Sequence, residues 1–126
     1  YEIYKDIYTI INDISKEHKT VILDCVTLLV NNIMFTYEID IDNSTQDEIN
    51  ELEKYIKEQV EKLLIEIKKT NLYFVIVTNG LGLGGVSINK LTRIYTDIIG
   101  RINQQIATHS DEVYFVVSGI PMKIKG

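Results

Sequence analysis

The chain has little of what would place it in several large classes. It holds one cysteine, Cys25, in 126 residues. This excludes an internal disulfide framework and fits a reducing compartment, with the cytoplasm as the default expectation. No apolar run approaches the roughly 18 residues needed to span a bilayer, and no charged-then-apolar leader opens the chain, so membrane insertion is not expected. A block of basic residues is also missing. Lys and Arg number 13 against 18 Asp and Glu, for a net charge of -5. That balance argues against a nucleic-acid footprint, although a local site can still hold an anionic nucleotide. There are two histidines; His18 lies among Lys16, Glu17 and Lys19, the setting of a solvated turn side chain rather than a catalytic one. What is present is 45% hydrophobic content over 126 residues, which suits one soluble domain with a real core. The chain opens on Tyr1 and not on Met, which leads us to expect a processed product or the ordered part of a longer protein.

Periodicity divides the chain into alternating helices and strands. Ile3, Ile7, Ile10, Ile11 and Ile14 share one stripe, which predicts a helix over residues 1–19 that packs on a sheet. Val21, Ile22 and Leu23 form a short apolar run ending in Asp24, the pattern of a strand buried on both faces with its terminal carboxylate at the functional edge. Such an Asp orients Mg²⁺ in phosphate-binding NTPases, but buried strands also end in Asp for turn or capping reasons. Both readings stay open. Cys25 reads as a small packed residue rather than a nucleophile. Leu28, Leu29, Val30, Ile33, Met34 and Phe35 predict a short buried helix. Residues 37–43 alternate Glu38, Asp40 and Asp42 with Tyr37, Ile39 and Ile41, as an edge strand or a lid loop does, with the carboxylates on a solvated face.

Ser44 or Thr45 caps a long scaffold helix with Asp47 and Glu48 in its first turn. Ile49, Leu52, Ile56, Val60, Leu63, Leu64 and Ile67 form its stripe, and Glu53-Lys57 and Glu58-Lys62 have the spacing of stabilising pairs. The chain then returns to the sheet, so that strand, helix and strand imply parallel strands.

The second strand, residues 73–77, stops at Thr78-Asn79 and passes through Gly80, Gly82, Gly84 and Gly85 into a helix from about Asn89. Strand, glycine turn and helix in that order make a ligand-facing edge of an α/β sheet. Gly80, Gly82 and Gly85 match G-x-G-x-x-G, the superficial fingerprint of dinucleotide binding. The strand predicted at 113–117, however, ends in Ser118-Gly119 and not in the acid that would hold a ribose. Nor is the turn a P-loop, since Val86 and Ser87 stand where Lys-Ser or Lys-Thr belongs. Glycines that simply allow positive φ in a loop are a further reading. The helix after the turn buries Leu91, Ile94, Tyr95, Ile98, Ile102 and Ile106, with Arg93, Asp97, Arg101 and Gln104 opposite. Arg93 and Asp97 are spaced to pair. Gly100 inside the helix suggests close packing on a neighbouring element or another subunit. Ser118-Gly119-Ile120-Pro121-Met122 is expected to turn before a Lys123-Ile124-Lys125 tail.

Taken together, Leu23-Asp24-Cys25-Val26-Thr27-Leu28 with Asn32, Val77-Thr78-Asn79-x-Leu81-Gly82-x-Gly84, Asn89-x-Leu91-x-Arg93-x-Tyr95-x-Asp97-x-x-Gly100-x-x-Asn103-Gln104-x-x-Ala107, Asp111-x-Val113 and Gly119-Ile120-Pro121 resemble the bifunctional adenosylcobinamide kinase / adenosylcobinamide-phosphate guanylyltransferase family. The likeness runs from about Thr20 to Lys125. It implies an α/β, RecA-like P-loop NTPase fold, a mainly parallel sheet flanked by helices, and a homotrimer acting in cobalamin nucleotide-loop assembly. It further implies phosphorylation of adenosylcobinamide by GTP or ATP with Mg²⁺, followed by GMP transfer from GTP through a guanylylated histidine. By resemblance Asp24 is the carboxylate that helps to position Mg²⁺, directly or through water. The loop from Asn79 to Ser87, with Gly80, Gly82 and Gly84, faces nucleotide or corrinoid, and Arg93 and Asp97 serve the site or a subunit contact, a structural role being favoured.

The resemblance places the family's amino-terminal strand, P-loop and GMP-carrying histidine upstream of Tyr1, and neither His18 nor His109 stands in for that histidine. Gly80 replaces a glutamate usual after the asparagine, and Gly85 and Ser87 replace the common isoleucine and proline. The chain is therefore expected to be the carboxyl-terminal part of such an enzyme or of a diverged relative, inactive by itself. Two alternatives are an NAD(P)-binding oxidoreductase domain and a noncatalytic subunit or interaction domain.

Overall fold

The structure is a computed structural model and describes residues 7–37, 40, 43–79 and 90–126. A 3-10 turn at Ile7–Thr9 leads into α1 (Ile11–Glu17), β1 (Thr20–Asp24), α2 (Val26–Tyr37), α3 (Gln46–Lys68), β2 (Tyr73–Val77), α4 (Lys90–His109) and the strands β3 (Val113–Val117) and β4 (Ile120–Lys125). β1 and β2 pair in parallel, from Thr20 opposite Tyr73 to Asp24 opposite Val77. β3 and β4 form a separate antiparallel hairpin. The architecture is mixed α/β with a small parallel sheet, as the strand, helix, strand pattern requires.

The core lies on one side of the parallel pair. Val26, Leu29, Val30 and Ile33 of α2, Leu52, Ile56, Val60, Leu63 and Leu64 of α3, and Ile98, Ile99 and Ile102 of α4 form one buried cluster, against which Leu23, Phe74 and Ile76 of the strands pack. Each fully buried isoleucine or leucine contributes on the order of 1.5–3 kcal/mol. α3 supplies the largest share because its stripe recurs at spacings of three and four. Thr45 caps it: the Thr45 hydroxyl accepts from the Glu48 amide at 3.2 Å, and the Glu48 carboxylate accepts from the Thr45 amide at 3.4 Å. This reciprocal box satisfies two of the helix's free donors. At the far end Tyr73 N donates to Lys19 O at 2.8 Å, which starts the ladder between β2 and β1.

α3 and α4 lie side by side along a polar seam. Arg101 Nε donates to both Glu53 oxygens at 2.9 Å. Gln105 donates to Lys57 O at 3.1 Å and to Glu61 at 2.9 Å. His109 Nε2 lies 3.2 Å from Glu61, and its Nδ1 lies 2.9 Å from Lys68 Nζ. An ammonium can only donate, so Nδ1 accepts and the proton sits on Nε2, facing Glu61. Residue numbers rise together along the seam, so the two helices run parallel, as helices that follow successive parallel strands do.

Several expectations need correcting. Where a helix was expected over residues 1–19, the described part is a 3-10 turn followed by the seven-residue α1. The strands are not buried on both faces: burial alternates along β1 and β2, and Ile22 and Tyr73 are 65% and 68% exposed. Leu91 is exposed rather than buried. Glu58 and Lys62 do not pair; Lys62 Nζ sits 5.3 Å from the centre of the Tyr8 ring, a cation–π contact. Nothing among the described residues packs on Gly100, where an added Cβ would meet no atom within 4 Å. The tail expected at Lys123-Ile124-Lys125 is part of β4. Ser118 and Gly119, both at positive φ, make the two-residue turn that suits a hairpin's twist, and Pro121 takes its place opposite Val116.

Candidate functional site

The parallel register brings the ends of β1 and β2 to one edge. Asp24 lies opposite Val77, and Thr78 and Asn79 continue the second strand beside it, with Asp24 and Asn79 both exposed. Two of the residues expected at the site thus lie at the same edge of the sheet, an acceptor-only carboxylate and an amide that can both donate and accept. Gly80, Gly82 and Gly84 fall outside the described residues, as do Gly85, Ser87 and the G-x-G-x-x-G match.

α4 fixes this edge from behind. The Tyr95 hydroxyl donates to the carbonyl of Thr27, in the first turn of α2, at 2.7 Å. The Thr78 hydroxyl donates to Asn103 Oδ1 at 2.7 Å. Burial pushes the Tyr95 phenol above its ordinary value, and the nearby Cys25 adds to the shift. Tyr95 therefore stays a protonated donor through the physiological range. Cys25 is half-buried, in keeping with a packed role. The Thr27 hydroxyl is buried with no hydrogen-bond partner among the described residues. The sequence places Tyr95 in the apolar stripe of this helix and both Tyr95 and Asn103 in the motif that carries the family resemblance, without assigning either a contact. A polar atom inside each otherwise apolar face was the signal available, but the sequence does not say which backbone group lies opposite.

Arg93 and Asp97 stand exposed on α4, and the pair expected between them does not form. Asp97 acts electrostatically on Arg101, whose guanidinium is raised above its ordinary value chiefly by its hydrogen bond to Glu53. Arg93 makes no ion pair among the described residues. No group of three or more His, Cys, Asp or Glu among the described residues could hold a metal ion. A shallow apolar depression lined by Ile7, Tyr8, Leu29, Ile33, Val60 and Leu63 lies among the helices and holds none of the expected site residues. No helix among the described residues is long and apolar enough to cross a membrane.

The chain is similar to known proteins along most of its length. The chain is 39% identical to the bifunctional adenosylcobalamin biosynthesis protein CobU of Escherichia coli over 108 residues, 86% of this chain and 59% of the relative. Against the protein of the same name from Salmonella typhimurium it is 34% identical over 124 residues, 98% of this chain and 68% of the relative. Against CobP of Pseudomonas aeruginosa, also a bifunctional adenosylcobalamin biosynthesis protein, it is 30% identical over 108 residues, 86% of this chain and 54% of the relative. The chain thus spans between about half and two thirds of the length of these relatives. A family model described as cobinamide kinase / cobinamide phosphate guanyltransferase matches residues 1–124, and the chain belongs to that family.

Proposed function

We propose that the protein carrying this chain acts in cobalamin biosynthesis, phosphorylating adenosylcobinamide with GTP or ATP and then transferring GMP from GTP to the phosphate. The observation that carries this reading is the family match over residues 1–124. Supporting it, Asp24 ends β1 opposite Val77, and Asn79 follows two residues later on the same carboxyl edge of the parallel strands, where ligands of open α/β sheets bind. The proposed complete fold is a RecA-like P-loop sheet, assembled as a homotrimer in the cytoplasm.

Asp24 suits a Mg²⁺ held jointly with nucleotide phosphates. One exposed carboxylate, with no group of three or more metal-ligating side chains among the described residues, matches a cation that takes one or two protein carboxylates, keeps several waters and draws its other oxygens from phosphate. Bound there, Mg²⁺ would neutralise phosphate charge. Asp24 itself, as an acceptor only, can approach phosphate oxygens through such a cation or through water and not directly. The Asn79 amide can donate to a nucleotide or corrinoid oxygen, and Gly80, Gly82 and Gly84 allow the backbone to come close to the same ligand. Arg93 and Asp97 serve the outer part of this site or a subunit contact. The reading is tested by incubating the full-length protein with adenosylcobinamide and GTP and following corrinoid products by mass. Formation of the phosphate and then of the GDP-linked corrinoid is expected, and recovery of unchanged adenosylcobinamide contradicts the assignment.

A further inference from the structure

α4 contributes two kinds of polar side chain. Arg101, Gln105 and His109 reach sideways to α3 and account for the joint between the two helices. Tyr95 and Asn103 do something else. They stand eight positions apart on the broad inner side of the helix, about 12 Å along its axis. Each holds the chain where one parallel strand ends: Tyr95 at Thr27, three residues beyond Asp24, and Asn103 at Thr78, next to Asn79.

The chemistry of the two bonds suits fixing a position more than adding stability. Tyr95 donates to a backbone carbonyl, so it holds the main chain of the first turn of α2, which follows Asp24 after one residue. Asn103 accepts from the hydroxyl of Thr78, the residue between Val77 and Asn79. At the opposite end of the pair, the contact is the backbone bond from Tyr73 to Lys19. β1 passes through Cys25 directly into α2, whose Val26 is fully buried, so the Tyr95 bond ties the first turn of that helix to α4; Thr78 lies one residue past the end of β2 and is tied to α4 by its bond to Asn103. Tyr95 and Asn103, both part of the motif that carries the family resemblance, thereby acquire a physical role.

We infer that Tyr95 and Asn103 are positioning residues, through which α4 sets the placement of Asp24 and Asn79 across the candidate site. The link to turnover rests on the functional reading given above. A group held loosely by one lost bond samples more positions, and transfer chemistry is sensitive to displacements on the order of 1 Å.

The experiment uses the full-length protein with Tyr95→Phe, Thr78→Val, Asn103→Leu and the double variant of the last two. Tyr95→Phe keeps the ring and removes the donor; the other two keep approximate shape and remove one end of the same bond. Amide exchange is measured over residues 24–29 and 77–79, with residues 113–125 as internal reference. Loss of one bond is expected to speed exchange about tenfold in the matching segment and not in the reference. With adenosylcobinamide and GTP, kcat is expected to fall about tenfold or more while KM for the corrinoid moves less than about threefold. The double variant should be no worse than the poorer single variant, since both remove one interaction. Unchanged exchange in both segments overturns the inference, and so does faster exchange with wild-type kcat. Should the wild type itself fail to convert adenosylcobinamide, the functional reading falls, while the exchange measurement still decides whether α4 fixes the strand ends.

Discussion

Removing the Glu53 carboxylate tests how the helix that backs the site is held. Glu53 is 16% exposed and takes Arg101 from α4, 47% exposed, and Lys57 from its own helix at 3.2 Å. Burial opposes its charge, but hydrogen bonds from Arg101 and Lys57 and the charges of both cations outweigh it, holding the carboxyl below its ordinary 4.5. An exposed ion pair contributes roughly 0.2–1 kcal/mol, and a hydrogen bond to a charged group roughly 1.5–3 kcal/mol. The half-exposed geometry falls between, so Glu53→Gln should cost about 1–1.5 kcal/mol, or about 3–5 °C in Tm. A double-mutant cycle with Arg101→Met, read by urea unfolding, should give a coupling of about 1 kcal/mol at neutral pH. The folded-state pKa is lowered, so this stability is complete above the unfolded value and is lost as pH falls through the folded one. The coupling should therefore shrink as the pH is taken from about 5 to about 3. A coupling indistinguishable from zero at neutral pH, or one that persists unchanged in acid, refutes the reasoning.

Other perturbations follow from packing. Gly100→Ala places a methyl group where nothing lies within 4 Å, so it should stabilise the chain by about 0.5–1 kcal/mol; a loss of stability or of assembly on size exclusion would instead reveal a partner surface at Gly100. Leu52→Ala, at a fully buried position, should cost about 2–5 kcal/mol, and a change under about 1 kcal/mol in urea unfolding would contradict the placement of the core. The free face of the parallel pair exposes Ile22, Tyr73, Val75 and Val77, and the hairpin exposes Phe115, Val116 and Met122. The isolated 126-residue chain should therefore bind the dye ANS and self-associate with concentration; a monodisperse chain that leaves the dye dark would show that these faces are covered.

Sequence and structure agree where a single element decides the outcome. The stripe of α3 has a strict helical period, and Thr45 with Glu48 makes a capping box readable from residue types alone. The parallel pairing of β1 with β2 was legible too, because strand, helix and strand fix both the pairing and the edge at which Asp24 and Val77 end. Contacts across long separations were not legible. Arg101 reads as one more residue of a polar face until α3 places Glu53 against it, 48 positions away. Lys62 had two partners available, and the Tyr8 ring prevailed over Glu58. The amino-terminal stripe continues through Tyr8, Thr9 and Ile10, yet aromatic and β-branched residues are poor helix formers, and the chain makes a 3-10 turn there before α1. Residues 118–122 are expected from the sequence to turn before a short tail; Ser118 and Gly119 alone make the turn, both at positive φ, and Ile120–Lys125 folds back on β3 with Pro121 opposite Val116.

We propose that Asp24, at the end of β1 and opposite Val77, works on nucleotide phosphate in a corrinoid kinase and guanylyltransferase. The most direct test of this role is steady-state turnover of adenosylcobinamide by the full-length Asp24→Asn variant, a change that keeps shape and removes charge. The account predicts a fall in kcat of about a hundredfold or more, with KM for adenosylcobinamide little altered. Turnover within about twofold of wild type would contradict it.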